Sequence, residues 1–160
     1  MAPLPPPLLF DLRSIDLSRV MVSREQIYQA LPHRHEFSLL DGVIHLDRDA
    51  GRIATVKHIR QDDWWTRGHI PGRPLFPGVL MIEAAAQTVS YFVHTLGDQH
   101  RFFGFGGLDA VKFRDAVVPT CALHFLGQAV DIRPRRMICQ IQGLVGNKMV
   151  FEGTITGMPV

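Results

Sequence analysis

The apolar and polar positions along the chain predict two helices of different length. Ser23 and Gln26 form a capping box, which predicts a short helix running to about Leu31. Residues 79–96 are apolar nearly all round, which is typical of a long helix buried in a core, and Gly97 is placed to end that helix.

Runs of β-branched and aromatic residues predict strands on both sides of the long helix. The Gly146-Asn147 pair predicts a tight hairpin between the last two strands. Residues 61–77 form a long loop of the kind that usually carries function. The predicted strands are residues 43–46, 53–59, 102–113, 122–132, 136–145 and 149–156.

This order of elements predicts an α+β fold in one domain. A helix with no polar face must be covered on all sides, and a curved antiparallel sheet wrapped around it covers most of them, while a second copy of the chain could cover the rest. The helix precedes most strands, which argues against a doubly wound parallel sheet. Residues 23–160 are assigned to this domain. Residues 1–22, with four prolines, are assigned to an extended N-terminal extension whose first 20 residues can be removed without loss of the fold.

The composition narrows the classes of function. A net charge of +2 in 160 residues is too small for a dedicated nucleic-acid binder. Cys121 and Cys139 lack the spacing of a zinc site, and the N-terminus lacks the basic segment of a signal peptide. The long helix carries Glu83 and His94, which are costly in lipid. We therefore expect a cytoplasmic protein with no membrane span and no nucleic-acid partner.

One stretch, Gly68 to Gln87, combines the residues of an acid–base site. It reads GHIPGRPLFPGVLMIEAAAQ, with His69 in the loop fourteen residues before Glu83 in the helix. Histidine can accept a proton at neutral pH, and we expect burial to raise the pKa of Glu83 towards that of a proton donor. The backbone N–H of Gly78, at the helix start, favours developing negative charge. Each signal alone has an ordinary structural explanation, but together they suit proton abstraction beside a carbonyl with loss of a leaving group.

The stretch resembles the motif GHxPGxPxxPGxxxxExxxQ of the (3R)-hydroxyacyl-acyl carrier protein dehydratases of the FabZ type, in the hotdog superfamily. The resemblance covers about residues 23–156, and Ile70, His35-Glu36 and Gly42 stand where that family usually has Phe, Tyr-Pro and Arg. Further similar segments are Leu31-Pro32-His33-Arg34 with Phe37 and Leu39-Leu40-Asp41, and Gly107-Leu108-Asp109 with Lys112-Phe113-Arg114 and Val117-Val118-Pro119.

The resemblance implies a hotdog fold and a homodimer with active sites at the subunit interface, and it leaves a trimer of dimers open. It implies dehydration of substrates bound to acyl carrier protein, as a step of fatty acid biosynthesis that gives trans-2-enoyl thioesters. His69 and Glu83 would act as base and acid from opposite subunits, and Gly78 would supply the oxyanion-binding N–H. The bond before Pro71 would be cis. No cofactor and no metal are expected.

Residues outside the motif have candidate roles beside ordinary alternatives. Arg133, Arg135 and Arg136 are candidates for docking the acidic carrier protein, or they form a solvated turn. His33 and His35 lack the further ligands of a metal site. The candidates for an acyl tunnel, which could equally be core residues, are Phe76, Phe103, Phe105 and Phe113.

Two other functions stay open on the sequence alone. A hotdog thioesterase would hydrolyse similar thioesters, and a non-catalytic acyl-binding or scaffold subunit would bind them without turnover. The presence of both His69 and Glu83 favours dehydration over either alternative.

Overall fold

A computed structural model describes residues 3–97 and 102–160 as one antiparallel sheet around a long helix. The seven strands lie in the order β1-β2-β3-β5-β6-β7-β4. The elements are β1 (Val22–Ser23), α1 (Arg24–Ala30), a 3₁₀ turn (His35–Phe37), β2 (Gly42–Asp47), β3 (Arg52–Ile59), α2 (Gly78–His94), β4 (Phe103–Phe113), β5 (Cys121–Arg133), β6 (Arg136–Val145) and β7 (Lys148–Pro159).

Local sequence signals place most of these elements correctly. At the start of α1, the Ser23 hydroxyl accepts from the backbone N–H of Gln26 at 3.2 Å, and the Gln26 side chain accepts from the Ser23 N–H at 2.9 Å. The predicted hairpin is present, with Val145 opposite Lys148 and Gly146 at a φ of 59°. The predicted α+β fold is confirmed, and α2 ends two residues before its predicted end.

Small residues allow α2 to lie close against the sheet. Ala84 and Ala85 are fully buried, and α2 packs against β3 and the strands that follow α2 in the chain. Buried hydroxyls between α2 and β3 pair with each other, since the side-chain oxygens of Thr88 and Thr55 lie 2.7 Å apart. Within residues 3–97 and 102–160, no helix combines the length and the apolar character needed to cross a bilayer.

The N-terminal segment packs on the opposite, outer face of the sheet. Phe10 is 94% buried there, at 6% exposure, and its ring lies 5.8 Å from that of His45. The side-chain amide of Gln142 holds the backbone where this packed segment begins, accepting from Leu9 N and donating to Pro7 O. The cluster comprises Leu9, Phe10, Leu12, Ile15 and Leu17 over Ile44, Ala54, Val56, Leu126, Leu144 and Met149. Removal of residues 1–20 would expose this apolar face, so the packing argues against the expectation that they are dispensable.

Strand β4 is a long edge strand with an apolar surface. In sheet order β4 lies at one end, hydrogen-bonded to β7. Phe105, Leu108 and Phe113 on this strand are each more than 40% exposed. A long edge strand with exposed apolar side chains is a surface that proteins usually cover.

Candidate active site

The loop between β3 and α2 is anchored at both ends by buried aromatic rings. Trp65 and Phe76 are buried, and their rings meet edge to face with centroids 5.4 Å apart. Trp65 O accepts from the backbone N–H of His69 at 2.9 Å, and Phe76 N donates to Val117 O at 2.8 Å. The loop tip between these anchors is exposed, so the His69 side chain is open to solvent while both ends of its loop are held in place.

One hydrogen bond defines the proton arrangement of His69. Its Nδ1 lies 2.7 Å from the carbonyl oxygen of Leu75, which can only accept. Nδ1 therefore carries the hydrogen of the neutral ring, and Nε2 is left with a lone pair. This is the tautomer that a proton-abstracting histidine needs.

The backbone next to His69 differs from the expectation of a cis proline. The bond between Ile70 and Pro71 is trans, because the cis peptide bond among the described residues is Pro119–Thr120. The chain reverses here through positive φ angles instead, 59° at Ile70 and 82° at Gly72. A turn closed by Arg73 N donating to Ile70 O at 3.0 Å completes the reversal.

Gly78 is the first residue of α2. The N-cap residue Pro77 makes no side-chain capping hydrogen bond, so no capping side chain occupies the free N–H groups of the first turn. A Cβ on Gly78 would lie 3.0 Å from the ring of Phe113. The glycine thus allows the edge strand and the helix start to approach each other.

Glu83 is held as a carboxylate, which overturns the expected direction of its pKa. His33 Nε2 lies 3.3 Å from Oε1 of Glu83, and Gln87 Nε2 donates to the same oxygen at 2.9 Å. The pKa of Glu83 is lowered from 4.5, mainly by the His33 contact, and burial opposes this shift without cancelling it. Desolvation alone would raise the pKa of Glu83, but the hydrogen bonds donated by His33 and Gln87 stabilise the carboxylate and outweigh that effect.

Gln87, the last residue of the motif, organises the region around Glu83. Its Oε1 accepts from the hydroxyl of Tyr28 at 2.6 Å, and its Nε2 also donates to the carbonyl of Phe37 at 2.8 Å. The Tyr28 oxygen in turn accepts from Leu40 N at 2.7 Å. This network joins α1, α2 and the segment between α1 and β2. Gln87 and His33 are site residues that sequence patterns alone do not reveal, although both lie in the segments that carry the resemblance.

A cavity of about 200 Å³ opens beside Glu83 and His33. Phe103 and Phe105 line it together with the buried Met137 and Ile155, so two of the four tunnel candidates lie at this cavity. The other two lie elsewhere. Phe76 is buried beside Trp65, and half-exposed Phe113 covers Gly78.

The basic cluster lies at the hairpin between β5 and β6. Arg133 and Arg136 contact Asp131 at 3.1 Å and 2.8 Å, and their donated hydrogen bonds lower the pKa of that carboxyl. Arg135 is exposed at the tip of the turn. Within residues 3–97 and 102–160, no three His, Cys, Asp or Glu side chains are grouped so that they could hold a metal ion.

Comparison with known proteins identifies the family. Residues 31–154 match the model of the FabA-like domain. The chain is 32% identical over 130 residues to the 3-hydroxyacyl-[acyl-carrier-protein] dehydratase FabZ of Protochlamydia amoebophila, covering 81% of this chain and 84% of that protein. It is 36% identical over 127 residues to the FabZ of Moorella thermoacetica, covering 78% and 87%. The chain belongs to the FabA-like family, as a member of the FabZ type.

Solved structures place the FabZ-type chain among hotdog folds. The dehydratase heterocomplex ApeI:P from Xenorhabdus doucetiae superimposes with a TM-score of 0.72 at 14% identity, covering 84% of this chain and 90% of that one. A hypothetical thioesterase from Streptococcus pneumoniae, solved with coenzyme A, gives 0.62 at 10% identity, covering 86% and 97%. At such identities these likenesses establish the fold alone.

Among the described residues of this FabZ-type chain, no polar contact joins His69 to Glu83. Among residues 3–97 and 102–160, the polar contacts of His69 are with its own loop, and those of Glu83 are with His33 and Gln87. The prediction that His69 and Glu83 meet between subunits is therefore neither met nor excluded by a single chain.

Proposed function

We propose that this chain eliminates water from (3R)-hydroxyacyl thioesters carried by acyl carrier protein, giving trans-2-enoyl thioesters in fatty acid biosynthesis. Two relatives that are more than 30% identical to this chain over most of their length carry the name of that activity. At the site, the observation that carries the proposal is the hydrogen bond from His69 to Leu75, which leaves Nε2 free to take a proton.

The proposed reaction assigns one step to each motif residue. Nε2 of His69 removes the proton from the carbon next to the thioester carbonyl, and the released electron pair forms the new double bond. The bond from the neighbouring carbon to the hydroxyl breaks, and Glu83 gives the hydroxyl a proton so that it leaves as water. The N–H of Gly78 donates to the carbonyl oxygen while negative charge builds there.

The lowered pKa of Glu83 fits the hydration direction directly, whereas dehydration requires Glu83 to take up a proton from solvent before it can give one to the hydroxyl. A carboxyl group with a low pKa is a strong proton donor once it is protonated. In the reverse reaction, hydration of the enoyl thioester, the carboxylate is the form that accepts a proton from water. His33 and Gln87 hold Glu83 in this carboxylate form before substrate binds.

Two features support a homodimer as the active form. His69 stands exposed on a rigid loop, and the surface of β4 beside Gly78 is apolar and unpaired at its outer edge. A second copy that covers β4 would bring its own loop towards this edge. We propose that His69 of one subunit acts with the partner subunit's Glu83.

The exposed arginines are the proposed docking site for the carrier protein. Arg133 and Arg136 are paired with Asp131, so Arg135, which is exposed at the tip of the turn, is the best placed of the three to meet an acidic partner. Charge reversal at Arg135 should lower kcat/KM for carrier-bound substrate about tenfold and leave the reaction of a short thioester mimic unchanged, because docking charges act mainly on association. An equal fall in kcat/KM for both substrates would show that Arg135 does not dock the carrier protein.

The proposed acyl site is the cavity beside Glu83, with Phe103 and Phe105 in its wall. Its volume is small, so it suits the part of the acyl chain nearest the thioester. Phe76 and Phe113 are proposed as packing residues instead, at the anchor of the loop and over Gly78.

The deciding experiment follows enoyl-thioester hydration by absorbance, across a series of chain lengths and on both carrier protein and coenzyme A. A dehydratase adds water to the double bond and leaves the thioester intact, so the enoyl absorbance falls without release of thiol. Release of free thiol and acid would instead indicate a thioesterase. Saturable binding without turnover at any chain length would indicate a scaffold subunit.

A further inference from the structure

His33 lies where it can control the orientation of Glu83. It follows α1, and its backbone is fixed because one guanidinium nitrogen of Arg34 donates to the carbonyls of Tyr28, Leu31 and His33 at 2.7–2.9 Å. The ring is held between the rings of Tyr28 and Phe102, both in edge contact, at 6.4 Å and 5.7 Å. A side chain restrained in this way has little freedom to turn its Nε2 away from Glu83.

The surroundings of the ring indicate where its hydrogen lies. Nδ1 of His33 is buried and has no hydrogen-bond partner among the described residues. Nε2 faces a carboxylate oxygen at 3.3 Å. A neutral imidazole has one N–H, and placing it on Nε2 makes a bond to Glu83, whereas placing it on Nδ1 would bury an N–H without an acceptor.

Both donors to Glu83 converge on a single oxygen. His33 Nε2 lies 3.3 Å from Oε1 of Glu83, and Gln87 Nε2 donates to the same oxygen at 2.9 Å. We propose that His33 is a positioning residue for Glu83, holding Oε1 together with Gln87 so that Oε2 is the oxygen that meets the departing hydroxyl. This inference rests on the role proposed above for Glu83 as the proton donor.

Two substitutions separate hydrogen bonding from packing. His33→Phe keeps a ring between Tyr28 and Phe102 but has no donor, whereas His33→Gln keeps an N–H close to the position of Nε2 and loses the ring. If His33 positions Glu83, His33→Phe should lower kcat by about 10–100-fold with little change in KM, since a misplaced catalytic group costs rate. His33→Gln should recover most of that loss.

A packing role would reverse this order. His33→Phe would then keep the wild-type kcat, or His33→Gln would be at least as impaired as His33→Phe, and either result overturns the proposal. Thermal unfolding of both variants identifies any loss of kcat that comes from loss of folded protein.

A second measurement does not depend on turnover. The ¹³C resonance of the Glu83 carboxyl, assigned with Glu83→Gln, reports its titration in each variant. Loss of the donor should raise the pKa of Glu83 in His33→Phe and leave it low in His33→Gln, because the donor favours the charged form. An unchanged titration in His33→Phe would overturn the proposal. If the wild type failed to dehydrate any hydroxyacyl thioester, the proposed function would fall while this titration still tested the His33–Glu83 contact.

Discussion

The two halves of the proposed active site are built in different ways. His69 lies on an exposed loop, and a single side-chain hydrogen bond to Leu75 sets its ring. Glu83 lies on the central helix, and its carboxylate belongs to a network with His33 and Gln87 that continues to Tyr28. The proposed base thus lies on the surface, while the proposed acid belongs to a partly buried polar network.

Because of this difference, substitution of His69 should affect mainly catalysis, whereas substitution within the network around Glu83 should also affect stability. A group at a surface open to a second subunit can be altered with little effect on folding, whereas a group inside a buried polar network cannot. The same difference fits the proposal that each active site takes His69 from one subunit and Glu83 from the other.

The largest expected effect is on turnover. His69→Ala and Glu83→Gln should each lower kcat about 10²–10⁴-fold, which is the usual cost of losing a general base or acid. The measurement is enoyl-thioester hydration by absorbance. Matched controls are His35→Ala and Glu36→Gln, an exposed histidine and an exposed glutamate that have no proposed role in the reaction. Near-wild-type turnover by Glu83→Gln would show that Glu83 is not the acid.

The next test asks whether the two halves come from different subunits. Refolding equal amounts of His69→Ala and Glu83→Ala together makes half of the dimers mixed. In a mixed dimer, one site receives both altered residues and the other receives neither. About a quarter of all sites should be intact, so activity should rise to about a quarter of wild type per subunit, given two-fold symmetry.

The control for this test is direct observation of the mixed dimers by mass spectrometry. If mixed dimers form and activity stays at the level of the single variants, then His69 and Glu83 act within one chain. The exposure of His69 would then not be explained by its use in the partner subunit's active site.

A third test compares stability rather than rate. Gln87→Leu should lower the free energy of unfolding by about 2–4 kcal/mol, because the Tyr28 hydroxyl and the Phe37 carbonyl lose a buried partner. His69→Ala should change the same quantity by less than about 0.5 kcal/mol. Chemical denaturation measures both, and Gln29→Leu on the exposed face of α1 is the matched control. Similar losses for Gln87→Leu and His69→Ala would contradict the contrast between the two halves.

Features set by neighbours in sequence could be predicted, and features set by distant neighbours could not. The capping box at Ser23, the Gly146 hairpin and the spacing of His69 and Glu83 are local patterns, and all were found. The lowered pKa of Glu83 depends on His33, which is fifty residues away and comes next to Glu83 only in the folded chain. Desolvation could be expected from an apolar helix, but the compensating donors could not.

The packing of residues 1–22 on the sheet could not be predicted, for a related reason. Its apolar residues, among them Phe10, Leu12 and Ile15, follow no helix or strand period, since the segment packs as irregular chain. The partner surface is the outer face of the sheet, which no pattern within residues 1–22 reveals. The trans bond before Pro71 was missed because the positive φ angle at Ile70 is not apparent from the residue type.

The smallest expected effect concerns the pH dependence of stability at the acid half. The pKa of folded Glu83 lies below its ordinary value of 4.5, so ionised Glu83 stabilises the fold above that value. This contribution is lost as the pH falls below 4.5 through the folded pKa. The difference in unfolding free energy between wild type and Glu83→Gln should therefore shrink in that range. The change should be smaller than the loss of unfolding free energy expected for Gln87→Leu. In a His33→Phe background the donor responsible is absent, so the same comparison should lose most of its pH dependence. A difference that stays constant from pH 7 to pH 3 would show that the network does not hold the carboxylate charged.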